Sequence, residues 1–197
     1  MTKLLLATRN EGKIKELQEL LQGLDAEILI PGQLGLKLDI AESGETYLEN
    51  AAKKAAVYAA ESKLPSLADD SGLEVNALSG APGIYSARYS PKVGANDKDR
   101  RDYLIEQLQD QPKPWTAKFH CTVVLATPEG ETHFAVGECR GEIIPEERGA
   151  GGFGYDPIFM VSNLGKTMAE LNMAEKNQVS HRSRAIKAIW PILTAHL

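Results

Sequence analysis

Residues 3–13, Lys-Leu-Leu-Leu-Ala-Thr-Arg-Asn-Glu-Gly-Lys, decide the fold class of this chain. The run Leu4-Leu5-Leu6-Ala7 is short, apolar on every residue and closed at once by Thr8-Arg9-Asn10, which is the pattern of a strand buried on both faces. Ile14, Leu17, Leu20 and Leu21 then recur at helical spacing, so residues 13–21 are predicted to form a helix. A buried strand, a polar loop and a helix are the opening of an α/β unit.

Working outward, residues 46–62 read as a second, alanine-rich helix, and Ser66-Leu67-Ala68 as a strand that ends in the loop Asp69-Asp70-Ser71-Gly72. Pro82-Gly83 breaks the chain, and residues 97–109 read as a third helix. Residues 118–127 and 131–144 are rich in Val, Thr, Ile and Phe around the turn Pro128-Glu129-Gly130-Glu131, the signature of a long antiparallel hairpin. Residues 181–197 are predicted to be helical, with Ala185, Ile186, Ala188, Ile189 and Ile192 available for packing and Pro191 placed to kink the helix. The expectation is an α/β fold on a mixed sheet, antiparallel at the hairpin and flanked by helices. Without repeats or a Pro/Gly/Ser-rich linker, residues 1–197 are expected to form one folding unit.

The 197 residues, 43% hydrophobic and 25% charged, have an ordinary globular composition. No segment approaches the roughly 18 consecutive apolar residues of a membrane span, and the apolar start is too short for an export signal, so a cytoplasmic location is expected. Cys121 and Cys139 are expected to be reduced; they flank the hairpin turn, which suits either two small core residues or a redox pair. A net charge of −5 argues against a nucleic-acid surface. Any phosphate must be held by a few locally placed cations.

Several stretches carry candidate chemistry. Residues 8–13 lie at a strand-to-helix junction, where free N–H groups, the helix dipole, Arg9 and Lys13 could hold an anion and Gly12 would admit close approach; the competing reading is an Asn10 cap before a solvated lysine. It is not a Walker loop, because no glycine stands five positions before Gly12 and Ile14 follows Lys13. The adjacent Asp69 and Asp70 repel by about a kcal/mol or more unless offset, which fits either a metal or catalytic role or a self-capped turn. In residues 42–54, Thr46 and Glu49 form a capping box, Lys53 can pair with Glu49 at i+4, and Lys54 lies on another face, available to a ligand. In residues 151–157 aromatics alternate with glycines, which suits stacking on a purine at about 1–3 kcal/mol per base, against a turn that packs Phe153 inward. Ser180 would cap the last helix and leave His181 and Arg182 in its first turn, against the dipole preference.

Together, residues 8–13, 45–54, 69–72, 153–157 and 180–182, with Ala81 to Arg88 as a further signature, resemble the inosine triphosphate pyrophosphatase or Ham1-like family over almost the whole chain. The resemblance implies a two-lobed α/β fold with a long mixed sheet, the site in the cleft between lobes, a homodimer, and hydrolysis of inosine and xanthosine triphosphates, ribo or deoxy, to monophosphate and pyrophosphate with Mg2+. Carried over by motif, Asp69 is the general base or metal-organising carboxylate, with Glu42 as metal ligand and Asp70 nearby. Lys13 and Lys54, with the loop of Thr8, Arg9 and Asn10, meet the phosphates, and Glu11, Gly12, Asp70 and Ser71 are further substrate-binding positions. Phe153, Gly154 and Tyr155 flank the base, and Asp156, Lys176, His181 and Arg182 face its edge. Donors from His181 and Arg182 would accept a 6-oxo group and reject the 6-amino group of adenine. The rival is a nucleotide-binding protein that does not turn its ligand over.

Overall fold

The computed structural model describes residues 2–197. Its strands are β1 (Thr2–Leu6), β2 (Ala26–Leu29), β3 (Ser66–Val75), β4 (Trp115–Ala126), β5 (Thr132–Ile143) and β6 (Phe159–Val161). Its helices are α1 (Glu11–Leu20), α2 (Tyr47–Ser62), α3 (Asp97–Leu108), α4 (Met173–Val179) and α5 (His181–His196). The strands form one sheet in the order β2-β1-β3-β4-β5-β6. β1 runs parallel to β2 and β3, whereas β5 and β6 are antiparallel, so the sheet is mixed as the sequence predicts. β4 and β5 are neighbours joined at residues 127–131, where Gly130 takes φ +95°, a conformation that favours glycine.

Side chains start the helices where the sequence places polar caps. Asn10 accepts from the Lys13 amide, Thr46 from that of Glu49, and Asn96 and Asn172 head capping boxes with Asp99 and Glu175. Pro191 sits inside α5, and the face of that helix with Ala185, Ile186, Ile189 and Leu193 is buried; Ala188, expected to pack, is exposed.

The chain divides into two compact units, one of Met1–Asp70, Cys121–Gly137 and Arg182–Leu197, the other of Ser71–His120 and Glu138–His181. In the first, strict strand alternation separates two apolar clusters. Leu4, Leu6, Leu67 and Val123 pack with Leu17 of α1 and Ile189 of α5. Leu5, Ala7, Ala68 and Val124 pack with Ala51 and Ala55 of α2. In the second unit, Leu73, Leu104, Leu108, Trp115, Phe159 and Met168 share a core, with the Phe119 and Phe159 rings 4.4 Å apart.

One expectation needs correction, and one choice left open is decided. The strand expected to stop at Ala68 continues as β3 through Asp69 and Asp70 to Val75. Cationic partners meet the aspartates inside the strand, so charge does not force a loop there. Cys121 and Cys139 are both free thiols in the core rather than a redox pair. Burial pushes the Cys121 thiol up to about 12, which keeps it protonated and inert.

Leu67 is fully buried at the centre of the first unit. Leu67→Ala is expected to lower unfolding free energy by about 2–5 kcal/mol, read from urea denaturation curves.

Candidate active site

The site in the first unit begins with backbone geometry. Carbonyls on a strand point the same way at every second residue. The Pro65 carbonyl accepts from the Leu5 amide at 2.9 Å and the Leu67 carbonyl from the Ala7 amide at 2.7 Å, so the Asp69 carbonyl comes next on that edge. β1 has ended at Leu6, and two ammonium groups take its place: Lys54 Nζ at 2.8 Å and Lys13 Nζ at 3.4 Å.

The aspartate side chains follow the same alternation as the apolar residues around them. Asp69 goes to the face of α1 and α5, where its Oδ2 accepts from Arg182 Nε at 3.2 Å and Nη2 at 3.1 Å and pairs with Lys13 at 3.1 Å. Arg182 Nη1 donates to Glu16. Lys13 and Arg182 thus balance Asp69 and Glu16 in a site where the Asp69 side chain is 0% and that of Arg182 1% exposed. Burial pushes the Asp69 carboxyl up, but Lys13, Arg182 and Lys54 outweigh it and hold it well below the usual carboxylate range. Asp69 and Glu16 keep Arg182 charged against its own burial.

Asp70 goes to the α2 face. Lys54 Nζ lies 3.4 Å from Asp70 Oδ1 and 2.7 Å from Glu42 Oε1, so on this side one ammonium meets two carboxylates. Burial, with Glu42 and Asp69 adding to it, raises the Asp70 carboxyl above its ordinary value despite Lys54 and Lys13. Burial opposes the charge on Lys54, yet Asp70, Asp69 and Glu42 raise its pKa. A cluster of hard oxygen donors with surplus negative charge fits a divalent cation such as Mg2+.

Glu42 is seated by a loop folded over the first turn of α2. Lys53 donates to the Ala41 carbonyl at 2.8 Å and to Ser43 Oγ at 3.2 Å, bracketing Glu42. The expected Lys53–Glu49 pair therefore does not form; Glu49 Oε2 accepts instead from the Glu45 amide at 2.7 Å. Lys54, expected to be available, is held by the carboxylates. At the strand-to-helix junction the Thr8 hydroxyl accepts from the Asn10 amide, Arg9 is an exposed partner of Asp39 at 3.3 Å, and Glu11 and Gly12 lie in the first turn of α1.

In the second unit, residues 152–156 form a tight loop. A Cβ on Gly152 would stand 1.9 Å from Asp156 Oδ2, so only glycine fits. That carboxylate accepts from the Phe153 amide at 3.0 Å and from Lys176 Nζ at 2.6 Å, and Lys176 Nζ lies 5.5 Å from the Phe153 ring centroid. Gly154 donates to Asp97 at 2.7 Å, and its carbonyl accepts from Arg101 at 2.7 Å. Tyr155, expected beside a base, is buried, and its hydroxyl donates to the Ser86 carbonyl at 2.9 Å. His181 is stacked on Phe119 at 4.8 Å. Ser71 is half-buried on β3.

The model of the Ham1 family matches residues 4–192. The chain belongs to the Ham1 family. It is 48% identical over 187 residues to a dITP/XTP pyrophosphatase of Geobacter sulfurreducens, covering 94% of each chain. To a dITP/XTP pyrophosphatase of Thermus thermophilus it is 45% identical, covering 95% of this chain and 89% of the relative. The structure of a HAM1 protein from Coxiella burnetii superposes with a TM-score of 0.88 at 40% identity, covering 99% of this chain and 100% of that one.

In this Ham1-family chain, Arg182, expected at a base edge, donates from Nε, Nη1 and Nη2 to Asp69 and Glu16. Sequence reading overlooked Glu16, although Lys13, Glu16, Leu17 and Leu20 stand at i, i+3, i+4 and i+7, a stripe in which charges among leucines signal a buried pair.

Arg182→Met leaves Asp69 and Glu16 buried without the guanidinium they share and is expected to lower stability by about 3–5 kcal/mol in urea denaturation. The double variant Arg182→Met/Asp69→Asn should recover part of that loss. Because the folded Asp69 pKa lies below the unfolded one, its ion pairs stabilise fully above the unfolded value, and that contribution is lost as pH falls through the folded value. Asp69→Asn should accordingly flatten the acid limb of a stability–pH profile.

Proposed function

We propose that this protein hydrolyses inosine and xanthosine triphosphates, ribo or deoxy, to the monophosphate and pyrophosphate, with Mg2+ as cofactor. Relatives bearing the name dITP/XTP pyrophosphatase at 42–48% identity support the substrate class. The observation that carries the chemistry is the Lys54 ammonium held at once by Glu42, the Asp69 carbonyl and Asp70.

Lys13 and Lys54 neutralise phosphate oxygens, Lys54 exchanging carboxylate partners for phosphate while Lys13 keeps Asp69. Glu42 would hold Mg2+, which when bound supplies further charge neutralisation on the triphosphate. Asp70 rather than Asp69 takes the proton of the attacking water, because its pKa is raised while that of Asp69 is depressed by its ion pairs. Water oxygen bonds to the α-phosphorus, the bond from that phosphorus to the bridging oxygen breaks, and pyrophosphate leaves. Asp69, with Arg182 and Glu16 behind it, fixes Lys13.

Phe153 offers its ring to the purine, and Lys176 and His181 are the donors proposed to read a 6-oxo group. Arg182 is left out of that role because all three nitrogens of its guanidinium donate to Asp69 and Glu16. The protein is further proposed to act in the cytoplasm as a homodimer, without nucleic-acid partners. Exposed Phe134 and Val136, two apart on β5, support a dimer surface, and the net charge of −5 supports the absence of nucleic acid. Among the described residues no helix is long and apolar enough to cross a membrane.

Pyrophosphate release from inosine triphosphate and Mg2+ tests the activity against the binding-only rival. Asp70→Asn is expected to lower kcat by about 10²–10⁴-fold with melting temperature unchanged or raised, since it removes a carboxylate held above its ordinary pKa. Near-normal turnover in that variant would reject Asp70 as the base. Lys176→Met is expected to narrow the ratio of kcat/KM between inosine and adenosine triphosphates by about 10-fold or more.

A further inference from the structure

A second cluster of ligating side chains lies apart from the residues assigned above. Glu131 closes the β4–β5 turn, His133 stands on β5 and His196 ends α5, all within the first compact unit. Each offers one ligand atom, and these atoms lie within 4.8 Å of one another. The two imidazole rings are 4.5 Å apart and tilted by 54°, and His196 Nε2 is 3.8 Å from Glu131 Oε2.

The tautomer of His196 follows from its neighbour. Its Nδ1 lies 2.9 Å from the Ile192 carbonyl, which only accepts, so Nδ1 carries the proton. Nδ1 being committed to that carbonyl, Nε2 is the nitrogen that faces the Glu131 carboxylate and the one open to a metal ion. His133 Nε2 is shielded from solvent and has no hydrogen-bond partner. A histidine whose second nitrogen donates to a backbone carbonyl is oriented as metal-ligating histidines are. Two imidazoles and one carboxylate suit Zn2+ or a similar borderline divalent ion, in contrast to the all-oxygen group around Lys54.

We propose that Glu131, His133 and His196 form a zinc-binding site that clasps the last turn of α5 to the β4–β5 hairpin, with water completing the coordination shell. The clasp ties down the far end of the helix whose first turn carries Arg182.

The test is calorimetric titration of Zn2+ into the full-length, chelator-stripped protein, with Mg2+ in excess to occupy oxygen-donor sites. One equivalent of Zn2+ should bind the wild type, and at hundredfold excess over Kd the melting temperature should rise by about 5–10 °C. His133→Ala and His196→Ala should each weaken binding by about 10–100-fold or more and abolish the thermal shift. Pyrophosphate release measured without Zn2+ should be unchanged in His196→Ala. Absence of Zn2+ binding at micromolar concentration in the wild type would overturn the proposal, as would equal affinity in the wild type and both variants. Neither result depends on the catalytic reading.

Discussion

The carboxylate of Asp69, wholly buried in β3, must be met by positive charge, because an unpaired buried ion costs several kcal/mol. Lys13 and Arg182 meet it, and Glu16 offsets the charge they bring. This requirement places α1 and α5 on one face of the strand and fixes their register at these residues. The leucines and isoleucines on the same helices then pack around a neutral group of ions.

Strand alternation makes the next residue different in kind. Asp70 follows Asp69 but emerges on the α2 face, where Lys54 alone answers two carboxylates. One aspartate is therefore held ionised and structural, and its neighbour is held at raised pKa with charge left to neutralise. The end of β1 completes the arrangement. The Asp69 carbonyl, left without a strand partner, binds both lysines and brings a cation from each helix to one point on the strand edge.

Much of this was legible in the sequence. The apolar run at residues 4–7, the helical stripe from Ile14 and the Val/Thr-rich hairpin gave the element types and the mixed sheet, because each depends on local periodicity. Lys13, Lys54, Glu42 and the aspartate pair were recognisable as chemistry-bearing residues. What local reading did not give was direction. It ended the strand at Ala68, because it took two adjacent charges as a loop, when partners distant in sequence hold them inside a strand. The motif resemblance set Arg182 and Tyr155 before a ligand; in the structure Arg182 donates to Asp69 and Glu16, and the Tyr155 hydroxyl to the Ser86 carbonyl. Lys53 likewise prefers the loop carbonyl of Ala41 to the i+4 glutamate, a choice set by how residues 41–45 fold over α2.

The division of labour between the two aspartates is the centre of this account, and carboxyl-carbon NMR titration of the protein, without added metal and with both aspartates assigned, tests it most directly. Asp69 is expected to stay ionised to pH values below the usual carboxylate range, while Asp70 takes up its proton above its ordinary value. An Asp69 that titrates at or above the ordinary value, with Asp70 below it, would contradict the account.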